Sequence, residues 1–207
     1  MTSVKGLGAS IGIAIGSSYI YENEINFESP TSISFEVAKS NLIKRFKKQI
    51  ESFKSKDRID EAEVLDAYIL ILEDPEITSQ FDENSEISTE KVFEVFSSTA
   101  SIFDSMEDDY FKQRSEDIIS VGKHLIFAMQ DKDTSTSFEE NTILIANDLT
   151  PADTSSMDLN KVSGIILKEG GFTSHAVIVA KNLGIPCVIG LKESVNDVLP
   201  GTEIAID

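Results

Sequence analysis

The apolar residues of this chain change period twice, and that change restricts the fold more than any other feature of the sequence. Toward both ends they form short alternating or continuous runs, as strands do; in between they recur every three or four residues, as helices do. Phe35, Ala38, Leu42, Phe46, Ile50 and Phe53 make one apolar face of a long helix. Residues 60–73 read as a second helix, closed by Pro75, whose ring disfavours helix at the preceding residue. A shorter helix is expected at about 76–81. Another opens at Ser88-Thr89-Glu90-Lys91 and runs through Phe103, and a last long one spans 107–130.

Outside this block, residues 11–21 alternate Ile13, Ile15, Tyr19 and Tyr21 and read as a strand punctuated by Gly12 and Gly16. Further strands are expected at 142–146, 164–167, 187–189 and 203–206. Thr150-Pro151-Ala152-Asp153 between them is a helix start, with Thr as N-cap and Pro at the first helical position. Strand and helix in this rhythm predict an α/β layer with sites at strand-to-helix turns. The expected organisation is a discontinuous α/β domain of residues 1–21 and 137–207, with a helical bundle inserted at 22–136. The polar run 131–137 marks the return.

Net charge is −18, and its placement is informative. Residues 59–140 hold 22 acidic side chains against 5 basic ones, whereas 39–58 hold eight basic residues against Glu51 and Asp57. An acidic face of this size repels nucleic acid and anionic membrane and would steer a basic partner. A merely solvated face has the same composition, so both readings stand on charge alone. No apolar run approaches the roughly 20 residues of a membrane span. Nor does the N-terminus, with Lys5 alone and a Gly-broken stretch after it, read as a signal peptide. The single cysteine, Cys187, excludes a disulfide framework and reads as a small buried hydrophobe. A cytoplasmic protein without membrane insertion is expected.

Gly170-Gly171-Phe172-Thr173-Ser174-His175 sets a histidine in the first turn of an expected helix that runs to Leu183 and stops at Gly184. Backbone N–H groups at a helix start have no intrahelical partner, and the macrodipole is positive there, so a phosphoryl group on the imidazole would meet ready donors. The same field favours neutral imidazole, the form that can attack phosphorus. Two glycines allow close backbone approach. On spacing alone, a cap or a packed ring would look the same.

The wider run from Gly170 to Gly190 resembles the swivelling phosphohistidine domain of the phosphoenolpyruvate-utilising enzymes, a family that includes enzyme I of the bacterial sugar phosphotransferase system, pyruvate phosphate dikinase and phosphoenolpyruvate synthase. Three further stretches resemble the enzyme I branch. Leu149-Thr150-Pro151-Ala152-Asp153-Thr154 is similar to the loop whose last threonine bonds the active histidine. Ile71-Leu72-Glu73-Asp74-Pro75-Glu76-Ile77 is similar to a segment of the helical domain that docks the small carrier HPr. Residues 108–118 resemble the start of that domain's last long helix. Tyr68 departs from the pattern, standing where many relatives have histidine.

The resemblance implies a phosphotransferase that carries a phosphoryl group on His175 and exchanges it with a histidine of HPr. It implies Thr154 as the residue that orients the ring and Gly171, Thr173 and Ser174 as phosphate-binding. Asp60, Glu61, Asp74, Glu76 and Arg114 are the implied HPr contacts. Phosphoenolpyruvate, and with it Mg²⁺, would be handled by a C-terminal barrel beyond this chain, which would then be an isolated N-terminal portion of a homodimeric parent; no metal ligand is expected within it. His124 is expected to be structural or exposed. Two other readings stay open: a catalytically silent carrier-binding module in which His175 caps a helix, and the phosphohistidine domain of a dikinase-like or synthase-like enzyme.

Overall fold

In chain order the secondary structure runs β1 (Leu7–Ser10), β2 (Ala14–Tyr21), α1 (Phe35–Ser55), α2 (Ile59–Glu73), α3 (Pro75–Thr78), α4 (Thr89–Asp104) and α5 (Asp109–Met129), then β3 (Thr142–Ala146), α6 (Pro151–Ser155), β4 (Val162–Leu167), α7 (His175–Leu183), β5 (Cys187–Ile189) and β6 (Glu203–Ile206). The structure is a computed structural model that describes residues 3–207 apart from 22–23, 82–85, 107, 133–137 and 156 and the side chains of Asp109 and Gln113. The chain divides into two units: Met1–Glu24 with Ser135–Asp207, and Ile25–Thr134.

The first unit is built on one six-stranded sheet, ordered β1-β5-β4-β3-β2-β6. β2, β3, β4 and β5 are mutually parallel, and β1 and β6 close the two edges antiparallel. Parallel central strands are covered on both faces, which is why β3 and β4 are almost continuously apolar. The period of two divides their side chains between two cores. Leu144, Ala146, Ile165 and Leu167 meet Ala176, Val177 and Ala180 of α7 on one face. Ile143, Ile145 and Ile166 meet Leu191, Val195 and Ile206 on the other.

Strands 142–146, 187–189 and 203–206 lie where the sequence puts them, and β4 starts two residues early. The N-terminal strand does not behave as its alternation suggests. It begins at Ala14 rather than at residue 11, and Ile11, Ile13 and Ile15 face solvent, at 96%, 79% and 61% exposure. Burial in β2 falls on Ala14, Ser18 and Tyr21 instead. Ser18 is tolerated there because its hydroxyl donates to the Leu199 carbonyl (2.8 Å) and accepts from Thr202 N–H (2.9 Å). β1, which pairs with β5 across the whole length of the chain, has no counterpart in the sequence reading.

The second unit contains helices α1 to α5. All six residues of the apolar stripe on α1 are buried. α1 packs against α2 and α5, and α4 against α5; Phe46 of α1 stands edge-on to Tyr68 of α2 with ring centroids 6.0 Å apart. The ends follow local capping chemistry: Ser88 Oγ accepts from Lys91 N–H to open α4, and Asp108 Oδ1 accepts from Tyr110 N–H to open α5. α3 is shorter than the expected 76–81, with Pro75 at its first position and Asp74 as its cap. Glu107, expected to start α5, lies outside the described residues, as do the expected boundaries at 22 and 136–137. His124 is buried, edge-on to Phe46 with ring centroids 6.0 Å apart, and is therefore a packing residue. Cys187 is fully buried, and burial pushes its thiol up to about 12.

Candidate phosphoryl-transfer site

β3 and β4 are neighbouring parallel strands whose last residues, Ala146 and Leu167, are in register. The chain leaves both at the same end of the sheet, and each exit leads into a helix: β3 through residues 147–150 into α6, β4 through 168–174 into α7. Adjacent exits of this kind are where open α/β sheets place ligands. The two loops are tied together by Lys168 N–H to Ala146 O (2.9 Å) and Glu169 N–H to Asn147 O (3.0 Å).

His175 is the first residue of α7, and its Nε2 lies 2.9 Å from Thr154 Oγ1. Thr154 is buried and His175 is half-buried, so one side of the imidazole is held by the protein while the ring stays reachable. Thr154 Oγ1 also stands 3.1 Å from Pro151 O and 3.3 Å from Thr150 O. A hydroxyl has one proton to give. Given to Nε2, it selects the Nδ1–H tautomer and leaves the Nε2 lone pair as the nucleophile; given to a carbonyl, it accepts from Nε2–H.

α6 is only five residues long and is pinned by Asp153. Asp153 Oδ2 accepts from Thr150 N–H (2.9 Å) and Thr150 Oγ1–H (2.7 Å), while Thr150 Oγ1 accepts from Asp153 N–H (3.2 Å). This is a capping box with aspartate at its third position. Asp153 Oδ1 accepts from Tyr21 Oη–H at 2.7 Å. Both Asp153 and Tyr21 are buried. Neither was expected among the site residues. The Thr150–Asp153 spacing was a readable signal, but nothing local connects them to Tyr21, 132 residues away.

Gly170 takes φ +98°, which explains the glycine there; a Cβ would also lie 3.5 Å from Ser174 Oγ and 3.6 Å from Asp148 Oδ1. Gly171 is exposed, with nothing within 4 Å of where a Cβ would be, so packing inside the chain does not demand glycine at that position. Ser174 is the N-cap residue of α7 by backbone, but its hydroxyl makes no capping bond. Its Oγ is shielded from solvent without a hydrogen-bond partner among the described residues. Thr173 is exposed in the same turn. Gly184 takes φ +66° and closes α7 as expected.

The partner-binding candidates do not form one cluster. Asp60 and Arg114 line one groove of the helical unit, of about 330 Å³, together with Glu63, Val64, Ala67, Tyr110 and Asp117. Glu61 is engaged by Arg58 at 2.9 Å. Asp74 and Glu76 lie at the other end of α2, about 21 Å from Asp60 by helix rise. Asp74 Oδ1 caps α3 by accepting from Glu76 N–H at 2.8 Å. Arg114 pairs with Asp117 at 3.5 Å. Burial, opposed in part by the Arg114 guanidinium, raises the Asp117 carboxyl above the usual carboxylate range.

Residues 5–114 match the PEP-utilising enzyme N-terminal family and residues 138–207 the PEP-utilising enzyme mobile domain. The chain is similar to the phosphoenolpyruvate-protein phosphotransferase of Staphylococcus carnosus, 31% identical over 99% of this chain and 38% of that protein. The enzyme of the same name from Priestia megaterium is 32% identical over the same shares, and that from Mycoplasma genitalium 31% identical over 100% of this chain and 39% of the relative. The chain thus spans well under half the length of these curated relatives. Among solved structures, it is similar to the solution structure of Enzyme I (nEIt), with TM-score 0.76 and 29% identity over 99% of this chain and 89% of that one. The N-terminal domain of Enzyme 1 - Nitrogen, at 22% identity and TM-score 0.62 over 99% and 90% of the two chains, shares the fold. The chain belongs to the PEP-utilising enzymes, and within that family it corresponds to the N-terminal portion of the phosphoenolpyruvate-protein phosphotransferases.

Proposed function

We propose that this chain carries a phosphoryl group on Nε2 of His175 and exchanges it with a histidine of the small carrier HPr, as the N-terminal portion of a cytoplasmic phosphotransferase. The observation that carries the reading is the 2.9 Å contact between Thr154 Oγ1 and His175 Nε2 at the exit of adjacent parallel strands. In the reactive arrangement Thr154 donates to Nε2 and so fixes both the ring and its Nδ1–H tautomer. As the phosphoryl group arrives along the lone pair, its N–P bond to the carrier's histidine breaks, with that electron pair returning to the carrier's ring, and this hydrogen bond gives way to the new N–P bond to His175. Transfer onward reverses the change: the N–P bond to His175 breaks, one forms to the carrier's neutral imidazole, and the Nε2 lone pair returns to Thr154.

Catalysis of this kind rests on positioning and charge stabilisation rather than on an acid or base. The open turn at Gly171 and Thr173, the sheltered Ser174 hydroxyl and the N–H groups at the start of α7 are the donors we assign to the phosphoryl oxygens. Among the described residues no three His, Cys, Asp or Glu side chains converge as a metal site. We leave Mg²⁺, phosphoenolpyruvate and the dimer contact of the parent with the portion of the relatives that this chain does not span.

For the carrier we propose the helical unit, read as an insertion into a swivelling phosphohistidine domain. The groove around Asp60 and Arg114 has an apolar floor of Val64 and Ala67 and an acidic rim, which suits a basic patch with an apolar centre. Incubation with phospho-HPr followed by mapping of the acid-labile phosphate tests the reading. His175 is the expected site, and His175→Ala should stay folded and take up none. Tight HPr binding without phosphate transfer would favour a silent carrier-binding module. Absence of both HPr docking and labelling by phospho-HPr would favour a dikinase-like or synthase-like enzyme.

A further inference from the structure

The structure assigns Tyr21 and Asp153 a positioning role: together they hold α6 so that Thr154 stands on Nε2 of His175. This rests on the phosphohistidine reading above and extends it to residues that touch neither the ring nor the phosphoryl group.

α6 has too few residues to be stable by itself, since helix nucleation is unfavourable and propagation over five residues recovers little. What fixes it is the Asp153 carboxylate. Three donors converge on it, Thr150 N–H, Thr150 Oγ1–H and Tyr21 Oη–H, all within 2.9 Å. The first two are local and cap the helix. The third is the anchor to the sheet, because Tyr21 is the last residue of β2 and stands in register with Ala146, the last residue of β3. Its ring lies in the same apolar core as Leu149, Ala176 and Val177, beneath both site helices. The connection therefore runs from the end of β2 through Tyr21 and Asp153 to the residue next to Asp153, which is Thr154.

A buried, fully bonded network of this kind sets geometry, and removing one partner leaves the others unpaired. Tyr21→Phe keeps the ring and its packing and removes only the hydroxyl. Asp153 then keeps its capping bonds but loses its tie to the sheet, so α6 can shift relative to α7. With Thr154 displaced, the Nδ1–H tautomer loses its selection.

The test uses the whole chain and two readouts. In ¹⁵N-labelled protein, the imidazole nitrogen shifts of His175 report the tautomer directly and need no phosphoryl donor. Tyr21→Phe should move them toward the values of Thr154→Val, while the pattern of His124, buried in the other unit, stays unchanged. In single-turnover transfer from phospho-HPr, Tyr21→Phe should slow labelling of His175 by roughly 3–10-fold. Added to Thr154→Val it should slow it no further, because both changes remove one contact. Asp153→Asn, which preserves shape, is a second variant with the same expected behaviour. Unchanged His175 nitrogen shifts in both variants would overturn the proposal, as would losses that multiply with that of Thr154→Val. An unlabelled wild-type chain would overturn the phosphohistidine reading instead, and the nitrogen shifts would still decide the positioning role.

Discussion

The two units place charge and polarity in opposite ways. In the α/β unit, the polar contacts that build the site are buried or half-buried and join distant stretches of chain: Thr154 to His175 over 21 residues, Tyr21 to Asp153 over 132. In the helical unit, ion pairs lie at or near the surface and are mostly local: Arg58 with Glu61, Lys91 with Glu94 and Arg114 with Asp117 are three residues apart, and Lys54 with Asp66 joins α1 to α2. A reaction centre needs atoms held to a fraction of an ångström, and buried multi-partner networks supply that. A docking face needs a field and a shape, and exposed pairs worth at most about 1 kcal/mol each are enough for it. Loss of one group should therefore be severe in the first unit and mild in the second.

The largest effect should come from Thr154→Val, which keeps shape and removes the hydroxyl. If the ring orientation and Nδ1–H tautomer that the hydroxyl selects before attack account for about 1.4–2.7 kcal/mol of the barrier, transfer between phospho-HPr and His175 slows roughly 10–100-fold. An unchanged rate would erase the contrast between the units. Charge reversal in the helical unit should do less. Asp60→Lys and Glu76→Lys are each expected to weaken HPr binding by roughly 3–10-fold, mainly through an association rate that falls as salt shortens the Debye length to about 10 Å at 0.1 M. Because the two sites stand at opposite ends of α2, the larger loss tells which end the carrier covers. Asp74 is a poor probe for this purpose, since it caps α3. Asp74→Ala should cost about 1 kcal/mol in urea unfolding, and a smaller loss would show that the cap is dispensable.

Asp117 carries the smallest expected effect, and its sign is definite. Burial raises its folded carboxyl above the unfolded value, so the folded chain keeps the proton to higher pH. Its contribution to stability is full below the unfolded value of about 4 and is lost as pH rises through the raised folded one. Asp117→Asn should flatten the fall in urea midpoint across that window. An unaltered slope would mean that the Arg114 pairing cancels burial.

The same contrast governs what could be read from the sequence. Helices were legible because their apolar period and start signals are local: the six-residue face of α1 and the opening of α4 at Ser88-Thr89 are as expected. Strands β3, β5 and β6 were legible as apolar runs between turn residues. β1 was not, since four residues with one glycine carry no period and their pairing partner lies near the other end of the chain. Alternation at residues 11–21 pointed the wrong way, because Ile13 and Ile15 face solvent while Ala14 and Ser18 are buried. At the site, the helix start at His175 and the Thr150 cap could be read from residues, but pairing Thr154 with His175 needed a family resemblance. The Tyr21 to Asp153 bond needed the fold.

The division of labour between the units is tested most directly by titrating unphosphorylated HPr into the ¹⁵N-labelled chain and mapping the amide shifts. Perturbations concentrated on α2 and the first turns of α5, around Asp60, Glu63, Ala67 and Arg114, and weakening as salt rises, are the predicted result. Perturbations confined to residues 141–207 and indifferent to salt would contradict the account.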